Sequence, residues 1–195
     1  MSNNILKKDL RIKYKSIRKQ VNLLKAEEIA NAINRSIKKR FECDLEQGYI
    51  GIYWPLEGEI SLLFLKDYHE NLALPGINNK GEMDYYPWKN KPLIKDKYQI
   101  PAPMQEKKLS PKEIGLLFVP AIAIDIYGYR LGYGGGFYDR LRANKFWQKV
   151  PSLAVVPNKC ISPIPLPRDS WDIPFNGWIS EDGETTACLD KKTHN

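Results

Sequence analysis

The chain has 195 residues, 43% of them hydrophobic, and a formal net charge of +7 at pH 7. This length predicts a single domain over residues 1–195, and because we find no signal peptide and no apolar run near the ~20 residues that span a bilayer, we expect a cytoplasmic protein without a membrane partner. The positive charge favours anionic partners, but no nucleic-acid-binding signature accompanies it, so a nucleic acid is not expected among them.

The first forty residues are predicted to be helical. Apolar side chains recur at helical spacing over residues 3–21 and again over residues 29–41, which indicates two amphipathic helices. Lys7 and Arg11 are four residues apart and lie on one face of the first helix. These two cations could bind an anion or simply face solvent.

Strands alternate with helical and loop segments in the rest of the chain. The predicted strands are 49–54, 72–74, 83–86, 116–119, 153–156 and, as an edge strand, 178–179. Short helices are predicted after Ser61, after Ser110 and over 138–147, whereas the prolines of 77–110 indicate mostly loop. This alternation predicts an α/β fold with an open, mixed but mainly parallel sheet and helices on both faces.

Five glycines lie between residues 128 and 136, shortly after the predicted strand 116–119. A strand, a glycine-rich loop and a helix start together direct backbone N–H groups toward a phosphate. The spacing of the glycines matches neither the Walker A motif nor the dinucleotide-binding G-x-G-x-x-G motif. The loop is therefore interpreted as a non-standard nucleotide or phosphate loop, with a flexible turn as the alternative.

Charged residues flank this loop. Arg130 could bind phosphate oxygens or form a surface ion pair. Asp139 could hold Mg²⁺ or complement a helix dipole, and Asp125 could face a ligand or cap a turn. The only histidines, His69 and His194, are far apart, so neither a histidine metal site nor a Ser-His-Asp triad is expected. The three cysteines are interpreted as reduced thiols.

The segment from Phe118 to Leu141 resembles the 5-formyltetrahydrofolate cyclo-ligase family, also called 5,10-methenyltetrahydrofolate synthetases. It follows the family's order of strand-proline, Asp, Gly and Arg-Leu-Gly-x-Gly-x-Gly-aromatic-Tyr-Asp. Weaker support comes from Lys7-x-x-Leu10-Arg11, from Glu59 and from the chain length. The resemblance covers nearly the whole chain and implies a sheet like that of the ribose-phosphate isomerase and CoA-transferase group.

The resemblance implies an ATP- and Mg²⁺-dependent enzyme, expected to be a monomer. It would convert 5-formyltetrahydrofolate, in free or polyglutamylated form, into 5,10-methenyltetrahydrofolate, ADP and phosphate. In the family, the formyl oxygen attacks the γ-phosphate, N10 attacks the resulting phosphorylated imidate, and phosphate leaves.

The resemblance also implies roles for individual residues. Arg130 and Tyr138 are the expected catalytic residues. The expected ATP-binding residues are Lys7, Lys8, Arg11, Arg130, Leu131, Gly132, Tyr133, Gly134, Gly135, Gly136, Phe137 and Tyr138. The expected folate-binding residues are Arg11, Trp54, Glu59, Tyr133, Gly134, Gly135, Gly136 and Phe137. Asp139, Asp172 and Asn176 are the expected Mg²⁺ ligands.

One position departs from the family pattern. Asn176 stands where family members commonly carry a second aspartate, and Trp171 stands where bacterial relatives often have histidine. An amide oxygen can bind Mg²⁺ without contributing charge, so weaker metal binding is expected unless Asp172 substitutes. Two other functions stay open: a different ATP-dependent transferase that keeps the loop, and a non-catalytic folate-binding or RNA-associated module.

Overall fold

The computed structural model describes residues 3–41 and 48–188. Cys43 and His194, which entered the cysteine and histidine predictions, lie outside these residues. Within the described ranges, no helix has both the length and the hydropathy that crossing a membrane requires.

The first helix, α1, runs unbroken from Asn3–Phe41. The sequence predicted two helices here, and the structure joins them because the segment contains neither proline nor glycine to end a helix. Tyr14 packs into one hydrophobic core cluster, whereas Ile29 and Ile33 pack into another. One helix therefore spans both cores.

Twelve strands are found in the described residues. In chain order they are β1 Tyr49–Gly51, β2 Leu72–Ile77, β3 Met83–Pro87, β4 Ile94–Lys95, β5 Pro101–Ala102, β6 Ile114–Pro120, β7 Ala123–Asp125, β8 Arg130–Leu131, β9 Ser152–Val155, β10 Ile161–Ser162, β11 Gly177–Ser180 and β12 Gly183–Thr186. Besides α1, the helices are α2 Phe137–Arg142, α3 Lys145–Gln148 and the 3₁₀ helices Leu63–Asp67, Pro111–Glu113 and Asn158–Cys160.

Seven of these strands form the main sheet, in the order β12-β11-β9-β6-β1-β2-β3. The five inner strands are parallel, and the two edge strands β12 and β3 are antiparallel to their neighbours. Strand β6 contributes side chains to both hydrophobic cores, because Leu117 packs into one cluster and Phe118 into the other. The predicted mixed, mainly parallel α/β sheet is confirmed, whereas the likeness to the ribose-phosphate isomerase and CoA-transferase group is not confirmed and stays a prediction.

The sequence did not predict β4, β5, β7, β8, β10 and β12, and β1 ends at Gly51 rather than at 54. Three other predicted elements differ for identifiable reasons. β2 continues through Pro75, because β1 ends opposite Ala73 and Pro75 pairs only with β3. β11 is an inner strand, since β12 covers its outer edge. The helix predicted over 138–147 is split in two, and the Asn144 side chain caps the second part by accepting a hydrogen bond from the N–H of Phe146.

A small second sheet supports the glycine-rich loop. β7 pairs with β10 on one side and with β8 on the other. Fully buried Asp125 accepts hydrogen bonds from the N–H groups of Tyr127 (3.0 Å), Tyr129 (2.9 Å) and Leu166 (2.8 Å). Asp125 was predicted either to face a ligand or to cap a turn. The structure shows that it caps the turn that leads into Arg130.

Replacing Gly128 in this turn should strongly destabilise the fold. Its φ is +86°, and a Cβ would lie 2.4 Å from the Phe175 carbonyl oxygen. We expect Gly128→Ala to lower the free energy of unfolding by about 3 kcal/mol, measured by urea denaturation. Gly183→Ala is the matched control: its φ of +110° is also unfavourable, but nothing lies within 4 Å, so about 1 kcal/mol is expected. Equal losses in the two variants would contradict this explanation.

Candidate functional site

A cavity of about 400 Å³ lies beyond the carboxyl ends of β1 and β6. Its size is within the range of small-molecule sites, and its place at the strand ends is typical of α/β proteins. Most of its wall is apolar or aromatic. Eight of the predicted site residues line it, namely Trp54, Glu59, Arg130, Tyr133, Gly135, Gly136, Phe137 and Tyr138.

The glycine loop, residues 132–136, connects β8 to α2 along one wall of this cavity. Gly134 and Gly136 have φ values of +101° and +65°, which side-chain-bearing residues rarely adopt. Gly136 is also the N-cap of α2, and no side chain caps the helix there. The first N–H groups of α2 are therefore left for another acceptor.

Cations of α1 hold this loop from outside the cavity. The Arg11 Nε donates a hydrogen bond of 2.8 Å to the Gly132 carbonyl oxygen. The Lys15 Nζ lies 5.0 Å from the centre of the Tyr133 ring. Arg18 donates to the Tyr133 hydroxyl and, over 3.0 Å, to the Ala121 carbonyl oxygen. Of the predicted cationic pair, Arg11 thus lies against the loop, together with Lys15 and Arg18 further along α1, whereas Lys7 is bonded elsewhere.

Arg18 was not predicted to be a site residue. The sequence could have indicated this role, because Arg18 follows Arg11 by seven residues and therefore lies two turns further along the same helix face. Lys8, which was predicted to bind ATP, is exposed, and no hydrogen bond or ion pair of its side chain is found within the described ranges.

The two expected catalytic residues are in contact with each other. The Arg130 guanidinium lies 4.9 Å from the centre of the Tyr138 ring and 3.7 Å from the Asp139 carboxylate. It also donates a hydrogen bond of 3.0 Å to the carbonyl oxygen of Pro120. The Arg130 Nε is buried and has no hydrogen-bond partner in the described part of the chain, so a ligand oxygen could complete its bonding.

The Tyr138 hydroxyl stays protonated at neutral pH. Burial raises the pKa of Tyr138 to about 12, against a smaller opposing effect from its hydrogen bond with Tyr85 and from the charge of Arg130. The Tyr85 hydroxyl donates to the Tyr138 oxygen over 3.4 Å. The proton of Tyr138 is therefore free to be donated elsewhere.

Glu59 faces the cavity with one oxygen engaged and one unpaired. Its Oε2 accepts a 2.8 Å hydrogen bond from the Leu56 N–H, and the Tyr133 hydroxyl is close enough to the carboxylate to interact with it, whereas Oε1 is buried without a hydrogen-bond partner of normal geometry in the described residues. A buried carboxylate oxygen without a donor is costly. Together with the neighbouring Trp54, it suits a flat ligand that carries N–H donors.

The other predicted metal ligands are already engaged within the protein. Asp172 and Asp169 both bind the Lys7 Nζ, at 2.9 and 2.8 Å. Burial lowers the pKa of Lys7, but its hydrogen bonds to the two aspartates outweigh burial and raise it above the usual value. The Asn176 Oδ1 accepts a 2.9 Å hydrogen bond from the Ser152 N–H.

Asp139 is the predicted metal ligand with the fewest bonds. Its side chain is 30% exposed, and its carboxylate pairs with Arg130 only at 3.7 Å. In the described residues, no group of three or more histidine, cysteine or acidic side chains comes together as a metal site. Mg²⁺ binding by Asp139, Asp172 and Asn176 stays a prediction.

The hairpin of β4 and β5 forms a wall that the sequence did not predict. Asp96 holds its turn by accepting from the N–H groups of Tyr98 (2.8 Å) and Ile100 (3.0 Å), and it fastens the hairpin to β2 through the Ile77 N–H (3.2 Å). The Tyr98 ring meets the Phe137 ring edge-on, with centroids 5.2 Å apart. The sequence analysis missed this contact because it predicted mostly loop over 77–110.

Comparison with known proteins gives a consistent result. The sequence model of the 5-formyltetrahydrofolate cyclo-ligase family matches residues 3–180. A Haemophilus influenzae 5-formyltetrahydrofolate cyclo-ligase is 31% identical over 144 residues, which are 65% of this chain and 72% of that protein. An Escherichia coli K12 protein of the same name is 35% identical over 96 residues, 48% of this chain and 50% of that protein.

Two similar solved structures carry the family's other name. Aquifex aeolicus 5,10-methenyltetrahydrofolate synthetase is similar with a TM-score of 0.73 and 25% identity, over 97% of this chain and 99% of that one. The Mycoplasma pneumoniae 5,10-methenyltetrahydrofolate synthetase has a TM-score of 0.62 and 18% identity, over 93% and 99% of the two chains, and so shares the fold.

The raised pKa of Tyr138 predicts a loss of stability at high pH. Between pH 10 and about 12 the unfolded tyrosine releases its proton while the folded one keeps it, so the free energy of unfolding falls as pH rises. One such group contributes about 1.4 kcal/mol per pH unit. Urea denaturation across this range should show a correspondingly shallower slope for Tyr138→Phe. Tyr68→Phe, at a side chain 73% exposed, is the control, and equal slopes for wild type and Tyr138→Phe would contradict the prediction.

Proposed function

The chain belongs to the 5-formyltetrahydrofolate cyclo-ligase family, and we propose that it closes the ring of 5-formyltetrahydrofolate to give 5,10-methenyltetrahydrofolate, at the expense of ATP and with Mg²⁺. The observation that carries this proposal is one cavity with opposite polar requirements at its walls. The N–H groups at the start of α2, which no side chain caps, and the Arg130 guanidinium can donate hydrogen bonds to an anion. The Glu59 carboxylate can accept hydrogen bonds from N–H groups of a ligand. A polyphosphate and a pterin satisfy these two requirements.

The folate would lie against Trp54 and Glu59. A reduced pterin is flat and carries amino and N–H donors, which the unpaired Glu59 Oε1 can accept. The aromatic side chains of Phe137 and Tyr98 offer faces and edges for ring contacts on the opposite side. The formyl group would then lie near the glycine loop, within reach of the nucleotide.

The nucleotide would lie along the glycine loop. The N–H groups at the start of α2, together with Arg11 and Arg130, would bind its phosphate oxygens. The pair of Lys7 with Asp169 and Asp172 would have to open for Lys7 to contribute a bond. This arrangement is typical of phosphoryl transfer, in which catalysis consists mostly of positioning and charge stabilisation.

The chemistry requires activation of a poor leaving group. The formyl oxygen would attack the γ-phosphorus of ATP, forming an O–P bond as the bond to the ADP oxygen breaks. N10 would then attack the formyl carbon of the phosphorylated imidate and lose its proton, and phosphate would leave with the former formyl oxygen. Arg130 would stabilise the charge that develops on the transferred group, and the protonated Tyr138 hydroxyl could donate to it.

Asp139 suits Mg²⁺ better than the other predicted ligands. It is partly exposed, and its only ion pair in the described chain is the long one with Arg130. Mg²⁺ is usually held by one or two carboxylates plus substrate phosphates. When bound, the ion would neutralise charge on the phosphate oxygens. The monomeric state, the single domain and the cytoplasmic location expected from the sequence belong to the same proposal.

The reaction can be followed directly by the near-ultraviolet absorbance of the methenyl product. Purified protein with 5-formyltetrahydrofolate, ATP and Mg²⁺ should produce this absorbance together with equal amounts of ADP and phosphate. Omitting ATP, or replacing it with a non-hydrolysable analogue, should abolish the signal. Binding of the folate without any product under the complete conditions would contradict the proposal.

Replacing the proposed metal ligand should affect turnover far more than folding. We expect Asp139→Ala to lower kcat/KM at least about 100-fold, because charge neutralisation at the phosphate is lost, while the melting temperature changes little. An unchanged Mg²⁺ dependence in Asp139→Ala would contradict its assignment.

Replacing Asn176 tests the second proposed ligand. Asn176→Asp should lower the Mg²⁺ concentration needed for half-maximal activity, because it adds a carboxylate. No effect of Asn176→Asp would place that residue away from the metal.

A further inference from the structure

Arg18 is a buried cation that the proposed reaction does not use. Its side chain is 4% exposed, and its bonds go to the Ala121 carbonyl oxygen and the Tyr133 hydroxyl. Among the described ion pairs none involves Arg18, and its Nε is buried without a hydrogen-bond partner. Burying a charge is costly, and the hydrogen bonds that Arg18 makes offset part of that cost. Those bonds join α1 to the end of β6 and to the tip of the glycine loop.

The bond from Arg18 fixes the direction of the Tyr133 proton. A guanidinium can only donate, so the Tyr133 oxygen accepts from Arg18 and its own proton is left for another acceptor. Burial, followed by the charge of Glu59 and a hydrogen bond with it, raises the pKa of Tyr133 to about 12 against the opposing effect of Arg18, so the proton is retained. Tyr133 and Glu59 line the same cavity, whereas Arg18 does not line it.

We propose that Arg18 is a positioning residue for the cavity. It holds the tip of the glycine loop through Tyr133 and orients the Tyr133 O–H toward Glu59 and the ligand. Arg11 fastens the start of the same loop through the Gly132 carbonyl oxygen, so two turns of α1 hold two successive loop residues. The inference relies on the proposed function only for the identity of the ligand.

The test combines a measurement on the loop with one on the ligand. Arg18→Met should speed hydrogen exchange of the backbone amides of 132–136 about tenfold in the ligand-free protein. The KM for 5-formyltetrahydrofolate should also rise about tenfold with a much smaller change in kcat, since the lost bond is a charged one and acts on positioning. Arg18→Lys keeps the charge and a donor, and it should recover part of both effects.

Measuring the effect of Arg18→Met in a Tyr133→Phe protein shows whether Arg18 acts through the Tyr133 hydroxyl. Without the hydroxyl, the bond no longer exists, so adding Arg18→Met should change loop exchange and KM by less than about twofold. Arg142→Met is the matched control for losing a buried arginine: Arg142 is 3% exposed and donates to the Ser152 Oγ (3.0 Å) and the Pro174 carbonyl oxygen (2.9 Å). Its effect on both readouts should be the same with and without the Tyr133 hydroxyl.

Equal tenfold effects of Arg18→Met in the two Tyr133 backgrounds would overturn the proposal, as would unchanged loop exchange. If Arg18→Met does not fold, Arg18→Lys is compared in the same two backgrounds with the same criterion. The exchange measurement needs no ligand. A protein that makes no methenyl product but shows the expected exchange pattern would therefore overturn the proposed function while supporting the role of Arg18.

Discussion

The structure depends on the continuity of α1. A helix rises 1.5 Å per residue, so its orientation at one end fixes the position of side chains some 20 Å away. Ile29 and Ile33 are completely buried in one core, and Tyr14 packs into the other. With the helix held at both cores, Arg11 and Arg18 have no freedom to move away from the glycine loop. Two hydrogen bonds from α1, together with the one that Arg140 donates to the Gly135 carbonyl oxygen, hold the loop.

Among the described residues, the arginines and carboxylates in and around the cavity do not pair closely with one another. Arg130 is nearly buried, with its closest carboxylate, Asp139, at 3.7 Å, and Arg18 bonds only to neutral oxygens in the described chain. Glu59 lines the same cavity but bonds to a backbone N–H. If Arg130 and Glu59 paired with each other, the cavity would have little to offer a polar ligand. Their separation leaves a strong field for phosphate at one place and a strong acceptor at another.

Local signals in the sequence predicted the elements that local physics determines. The buried strand 116–119, which is part of β6, follows from an apolar run and the loop from dense glycines, and both lie where predicted, whereas β7 and β8 between them were not predicted. The continuity of α1 was missed because the charged stretch 25–28 interrupts the apolar pattern, although the Lys25–Glu28 ion pair at 2.7 Å is compatible with a helix. The β4–β5 hairpin was missed for a different reason: Asp96 anchors it to a strand nineteen residues earlier, which no local pattern reports.

The predicted metal ligands show why a matching motif does not fix a site. Asn176 lies in the chain where a second aspartate was expected, but its amide oxygen is bonded to the backbone of β9, a bond that a carboxylate could also accept. The bond therefore does not explain the asparagine. Its neutrality has an electrostatic consequence, because Lys7 already offsets part of the charge of Asp172. Asp139 is then the less compensated of the two predicted carboxylate ligands, because its only ion pair in the described residues is the 3.7 Å one with Arg130.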